Sequence, residues 1–240
     1  MFYIILFSVL ALLLIIIIIV FLCSHKKKSK TKKSDYGKDV YKFDKRPLSK
    51  YDEESIDSAG QKAENAVSNV LNQLSNSYEC FLYENLCLED KGKYSIEIDH
   101  LLLTHGGLFV IETKGNIGVI TGDISEKVWF AKKPNGKTKK LKNPVIQTLS
   151  HAKFIRILMD DFYPKMYPIA IFPFADISNI TNDAVLDISR AVKKIKVACK
   201  STKYDDDLFN NFNNKILRMI EKHSISKEKH LQNIKERFDV

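Results

Sequence analysis

Cysteine is scarce in this chain of 240 residues, and the four present, Cys23, Cys80, Cys87 and Cys199, include no CxxC pair. That removes the zinc and redox patterns built on such pairs. His100 and His105 have no second histidine or cysteine at zinc-like spacing, so both read as structural. No internal repeat is visible. Excess charge is also missing where it would matter. Residues 51–240 carry 27 Lys/Arg against 26 Asp/Glu, a net +1, whereas residues 25–50 carry eleven against three. The overall +9 therefore belongs to one short segment and is no evidence that the globular part binds nucleic acid. A segment so basic suits membrane topology and contact with anionic lipid.

What the chain does have is an apolar run, Phe2 to Cys23, with no charge, Gly or Pro. Its 22 residues match a membrane-spanning helix, which needs ~20. A cleaved signal peptide fits less well: no positive stretch precedes the run, it is too long, and no small-residue cleavage site follows. Lys26, Lys27, Lys28 and Lys30 follow instead, a stop-transfer flank. The positive-inside rule puts the N-terminus outside the cell membrane and the rest in the cytoplasm, where cysteines stay reduced. Cys23 sits at the membrane edge, either packed in the helix end or acylated. The chain then divides into a transmembrane helix at 1–24, a basic linker at 25–55, a globular domain at 56–175, and a C-terminal strand and helical extension at 176–240.

Hydrophobic periodicity predicts a helix from Ser58 to Leu74, with Ala63, Ala66, Val67, Val70, Leu71 and Leu74 at helical spacing. Strands are expected over 79–88, 94–104 and 107–114, then shorter ones over 118–123, 128–130 and 167–172. A second helix is expected over 143–159, with Asn143 as N-cap and Pro144 at the first helical position. Val192 to Cys199 alternates as a strand would. A helix is expected over 205–223, where Asp residues fill the first turn, and 226–238 is a polar helix or tail. This order describes an α/β fold, a mixed central sheet flanked by helices.

The most informative stretch is the pair of strands joined at His105-Gly106-Gly107. With His105 and Gly106 as a two-residue loop, Asp99 faces Glu112 and Glu97 faces Lys114. A slip of one residue puts Asp99 opposite Lys114 instead. In both registers Asp99, Glu112 and Lys114 share a face, because side chains alternate with period two. Opposed like charges on a sheet are unfavourable, so two carboxylates held there call for a cation or a shared proton. A hard divalent ion with oxygen ligands fits. A plain surface ladder, with Lys114 paired to Glu97 or Asp99, is the competing reading.

Glu64 lies ~20° from Leu71 and ~60° from Val67 on a helical wheel, at the edge of the apolar stripe. It is either a boundary glutamate reaching water or a third acid aimed at the same site. Gln147 falls in the first turns of the second helix, with His151 one turn later on the same side. Lys127, Lys132, Lys133, Lys137, Lys139, Lys140 and Lys142 cluster around Trp129 and Phe130. They form either a solvated loop or a phosphate-contacting patch, in which Lys132, Lys133, Lys139 and Lys140 are the candidates.

Gly60-x-x-x-Glu64, Glu97-Ile98-Asp99-His100, the run Gly107 to Gly115, the single Trp129 and Asn143-Pro144-x-x-Gln147 occur in that order. Together they resemble the nuclease-related domain, the NERD family, of the PD-(D/E)XK nuclease superfamily, over roughly Ser58 to Phe172. The resemblance implies an αβββαβ core and phosphodiester cleavage dependent on Mg²⁺ or Mn²⁺, with DNA the favoured substrate over RNA. It implies catalytic roles for Asp99, Glu112 and Lys114, and it matches Glu64 and Gln147 to the family's helix acid and helix glutamine. His151 stands where related nucleases often have a tyrosine. The expectation is a membrane-anchored nuclease whose metal is held by Glu64, Asp99 and Glu112, with Lys114 and Gln147 positioning water or phosphate. The alternative is a catalytically silent membrane-tethered module that binds nucleic acid or protein.

Overall fold

The computed structural model describes residues 56–92, 94–160 and 162–238. The expected transmembrane helix and basic linker lie outside the described residues. Among those described, no helix is long and apolar enough to cross a membrane. The elements run α1 (Ile56–Ser77), β1 (Cys80–Asp90), β2 (Tyr94–Thr104), β3 (Gly107–Thr113), β4 (Gly118–Thr121), β5 (Val128–Lys132), β6 (Thr138–Lys142), α2 (Pro144–Leu158), β7 (Met166–Ile171), β8 (Ala175–Asp176), β9 (Val185–Leu186), α3 (Ile188–Cys199), α4 (Asp206–His223) and α5 (Lys227–Phe238).

Among the described residues, two sheets stand where a single one was expected. The main sheet has the order β1-β2-β3-β7-β9 and the smaller one β6-β5-β4-β8. β1, β2 and β3 are antiparallel meander strands, while β3 pairs β7 in parallel after the crossover through α2. β3 is buried along its whole length, as a strand covered on both faces must be. On one face Leu101, Leu103, Leu108 and Val110 pack against Phe154 and Ile155 of α2 and Phe209, Phe212 and Ile216 of α4. On the other, Leu102, Phe109 and Ile111 pack against Val67, Leu71 and Leu74 of α1 and Ile188, Val192 and Ile195 of α3. Trp129, Ile120 and Val145 build a third cluster beneath the small sheet.

Two local expectations change. Residues 192–199 are the end of helix α3, not a strand. The buried set Ile188, Ala191, Val192, Ile195 and Cys199 follows helical spacing, and Asp187 caps the start by accepting from the Arg190 amide. An alternation seen only from Val192 onward hid that period. The lysine-rich stretch over 138–142 is strand β6, at the edge of the small sheet. The extension at 176–240 is also continuous with the core, because β9 joins the main sheet and α3 covers one face of it.

The β2–β3 turn takes the two-residue register: Thr104 pairs Gly107 and His100 pairs Ile111. Gly107 has φ 149°, and a Cβ there would lie 2.5 Å from the Lys165 carbonyl oxygen, so only glycine fits. Asn143 caps α2 by accepting from Val145 N at 2.9 Å and Ile146 N at 3.3 Å. Its amide also donates to the carbonyl oxygens of Asp123, Ile124 and Glu126, the last at 2.7 Å. One buried side chain thus fixes both the start of α2 and the loop beneath the small sheet. Asn143→Ala removes the cap and the contacts to the loop carbonyls, so urea unfolding should show a loss of about 1–3 kcal/mol. A loss under about 0.5 kcal/mol, the range of an ordinary surface change, would contradict this role.

Candidate active site

The β2–β3 ladder stops at the His100–Ile111 pair. One position further on, the Thr113 amide donates to the Asp99 carboxylate at 2.6 Å instead of to a backbone carbonyl. The same position is irregular on the other side of β2. The β1–β2 rungs Glu84–His100 and Leu86–Ile98 flank Asn85, which has φ 54°. Asparagine tolerates that left-handed conformation better than most residues. Both strands change phase there. Phe81 and Tyr83 share a face with Leu86 and Leu88, and Leu101 and Leu103 share it with Ile96 and Ile98. A matched irregularity in two paired strands keeps their register while switching which side chains face the core. Asp99 occupies the switch point.

Glu112 and Lys114 continue the alternation of Leu108 and Val110 and therefore face α2. Lys114 is itself anchored by its backbone amide, which donates to Ile171 O at 2.9 Å. Three side chains close a ring of hydrogen bonds. Lys114 Nζ donates to Glu112 Oε1 at 2.7 Å and to Gln147 Oε1 at 2.8 Å, and Gln147 Nε2 donates to Glu112 Oε1 at 2.7 Å. The Glu112 and Lys114 side chains are only 8% and 16% exposed. His151 Nδ1 lies 3.5 Å from the other Glu112 oxygen, is buried, and has no hydrogen-bond partner. The buried Thr113 hydroxyl oxygen is likewise unpartnered.

The electrostatics follow the crowding. Burial and then the Glu112 carboxylate push the Asp99 carboxyl well above its usual range, with Glu64 adding to them; the Thr113 amide and Lys114 oppose. Burial, then Glu97, also raises Glu64, with Lys227 opposing and Glu112 adding. Burial holds the His151 imidazole below its ordinary value despite Glu112. The raised Asp99 and Glu64 values match carboxyls for which burial and neighbouring carboxylates outweigh the nearby lysines. Three carboxylates, with no sulfur, form a donor set suited to a hard divalent ion.

Asp99, Glu112, Lys114 and Gln147 are thus brought together, and Glu64 of α1 is near enough to act on Asp99 electrostatically. Gly115 makes room for α1: a Cβ there would lie 2.6 Å from the Ala59 carbonyl oxygen. The three acids do not crowd to within 4.8 Å of one another, a spacing reached among the described residues by Glu79, His105 and Asp206. The lysine candidates separate. Lys132 and Lys140 share the outer face of the β5–β6 hairpin with the exposed Phe130, since Phe130 pairs Lys140 and strand sides alternate. Lys139 pairs Ala131 on the opposite face, and Lys133 lies in the turn. Trp129 is 1% exposed and donates to Asp123 O, so it is a core residue. Asn85 was not legible as part of the site; the phase slip around it, Phe81 and Tyr83 against Leu86 and Leu88, was the available signal.

An acid whose pKa is higher in the folded state favours the fold when protonated. Its stabilising contribution is present at low pH and lost as pH rises from the unfolded value through the folded one. Asp99→Asn keeps an oxygen to accept from Thr113 and removes the charge. In chelator at neutral pH the variant should melt higher than wild type, and the gap should close on acidification through the raised Asp99 range. A wild type that melts higher than the variant at neutral pH would contradict the crowding.

Residues 59–173 match the family model described as the nuclease-related domain, NERD. No curated protein matches the chain, and no solved structure does. The matched span runs from the first turns of α1 to just beyond β7, so it contains every residue of the ring formed by Glu112, Lys114 and Gln147, together with Asp99 and Glu64. Over residues 59–173 the chain is similar to the nuclease-related domain family, consistent with a PD-(D/E)XK-like fold.

Proposed function

We propose that the protein is a Mg²⁺-dependent nuclease that hydrolyses phosphodiester bonds of DNA, with Mn²⁺ able to substitute. The observation that carries the reading is the ring of Glu112, Lys114 and Gln147 beside an uncompensated Asp99. Asp99, Glu112 and Glu64 would hold the ion. When bound, Mg²⁺ polarises the phosphate and lowers the pKa of a coordinated water. Lys114 has three N–H donors, and two are committed to Glu112 and Gln147. The third is left for the attacking water or a phosphate oxygen. Gln147 uses both ends of its amide on its two neighbours, so it acts as a positioning residue that aims the Lys114 ammonium. His151, held neutral by burial, keeps a second positive charge away from Glu112.

A second reading has its own support. Glu112 receives two N–H donors from the protein itself, and residues 51–240 are nearly neutral. Both fit a silent module that binds nucleic acid or protein. The reading extends to location: the apolar run 2–23 would anchor the protein in the cell membrane, with residues 25–50 against anionic lipid and the domain cytoplasmic.

Cleavage of labelled duplex and single-stranded DNA and RNA by the full chain, with and without Mg²⁺, separates the two. Lys114→Ala and Glu112→Gln should each lower the rate by about 10²–10⁴-fold while circular dichroism stays unchanged. If wild type cuts no nucleic acid with any divalent ion, the silent module stands. Affinity for DNA should fall with salt through the outer hairpin face. Replacing Lys132 and Lys140 together should reduce the salt slope by about 2, and replacing Lys139 alone should change it less. An unchanged slope would leave these lysines only the task of keeping an edge strand from pairing with another chain.

A further inference from the structure

A second group of metal-ligating side chains gathers away from the acid ring. One ligand atom each from Glu79, His105 and Asp206 lies within 4.8 Å of the others. The three come from separate places: the step between α1 and β1, the β2–β3 turn, and the first turn of α4. Asp206 lies beyond the nuclease-related segment, and the other two lie inside it.

His105 is held unusually firmly for a turn residue. Its carbonyl oxygen accepts from Tyr204 N at 3.1 Å, and its Nδ1 is 2.9 Å from the Tyr204 carbonyl oxygen. Its ring stacks on Phe209 with centroids 4.0 Å apart and planes 16° apart. A carbonyl oxygen only accepts, so Nδ1 carries a proton and Nε2 is the ring's other nitrogen, directed at the carboxylates. Metal-ligating histidines are oriented in this way, by donating their far N–H to a backbone carbonyl. Nε2 lies 3.4 Å from Glu79 Oε2. That is long for a charge-assisted hydrogen bond, which falls at about 2.7–2.9 Å. It equals the separation of two ligands on a tetrahedral ion with bonds of 2.0–2.2 Å, about 3.4 Å. Asp205, not Asp206, supplies the N-cap of α4 by accepting from Leu208 N. The Asp206 carboxylate is therefore not spent on the helix.

We propose that Glu79, His105 and Asp206 bind a transition-metal dication of the zinc class, with water completing the shell. The imidazole ligand sets this site apart from the all-oxygen acid ring and favours zinc over magnesium. Ligands on both sides of the boundary at residue 173 make it a clasp that fixes α4, and with it the C-terminal extension, to the β2–β3 turn. The role is structural and independent of cleavage.

The test uses the full chain carrying Asp99→Asn and Glu112→Gln, so that zinc captured by the acid ring does not count. Calorimetry with Zn²⁺ should find one equivalent bound and a melting temperature that rises with zinc but not with the same concentration of Mg²⁺. Adding Asp206→Asn, a change on an exposed side chain, should weaken zinc binding about tenfold or more and erase the melting shift. Adding Glu79→Gln should do the same. No zinc binding in the parent, or binding that neither change weakens, would overturn the site and leave an ordinary histidine–glutamate ion pair.

Discussion

Two carboxylates on neighbouring strands, Asp99 and Glu112, set the terms for the rest of this site. Burial raises the Asp99 pKa first, and the neighbouring Glu112 charge, unfavourable across a sheet, raises it further. The fold accommodates the pair by ending the β2–β3 ladder at that point and giving the Thr113 amide to Asp99. It answers the Glu112 charge with Lys114 from the same strand end and Gln147 from α2. Partly buried ion pairs of this kind contribute little net stability, since desolvation offsets attraction. The ring is therefore better understood as preorganisation than as a staple.

Several distant features serve the same arrangement. Asn143 holds the first turn of α2 where Gln147 can reach Glu112. Gly115 lets the first turn of α1 pass close to the end of β3, which brings Glu64 toward Asp99. His100, on the opposite face from Leu101, bonds Ser68 of α1 at 2.8 Å and is pushed down to about 4 by burial, so it stays neutral although Glu84 lies 3.5 Å away. The irregularity at Asn85 and Asp99 lets β1 and β2 keep an apolar face toward α4 on both sides of the acid.

Much of this was legible in the residues. Counting from a two-residue turn left two registers, of which the strands take the one pairing Thr104 with Gly107, and alternation placed Glu112 and Lys114 on one face. Asn143 and Pro144 marked the start of α2 because capping chemistry is local. What was not legible depended on tertiary context. The helix over Ile188–Cys199 packs on a sheet face that β9 completes, and its helical spacing shows only when the window begins at Ile188, since one beginning at Val192 gives a strand-like alternation. The β6 strand is made of lysines whose pairing depends on β5. The meeting of Glu79, His105 and Asp206 joins residues more than a hundred positions apart, which no spacing rule reaches.

The most direct measurement is a crystal structure of the full chain soaked in Mn²⁺, with anomalous scattering used to locate the ion. The expected result is a peak in contact with Asp99 and Glu112, with Lys114 Nζ still within hydrogen-bond reach of Gln147. No peak at those carboxylates, with Glu112 bound only by Lys114 and Gln147 at millimolar Mn²⁺, would contradict a metal-dependent site.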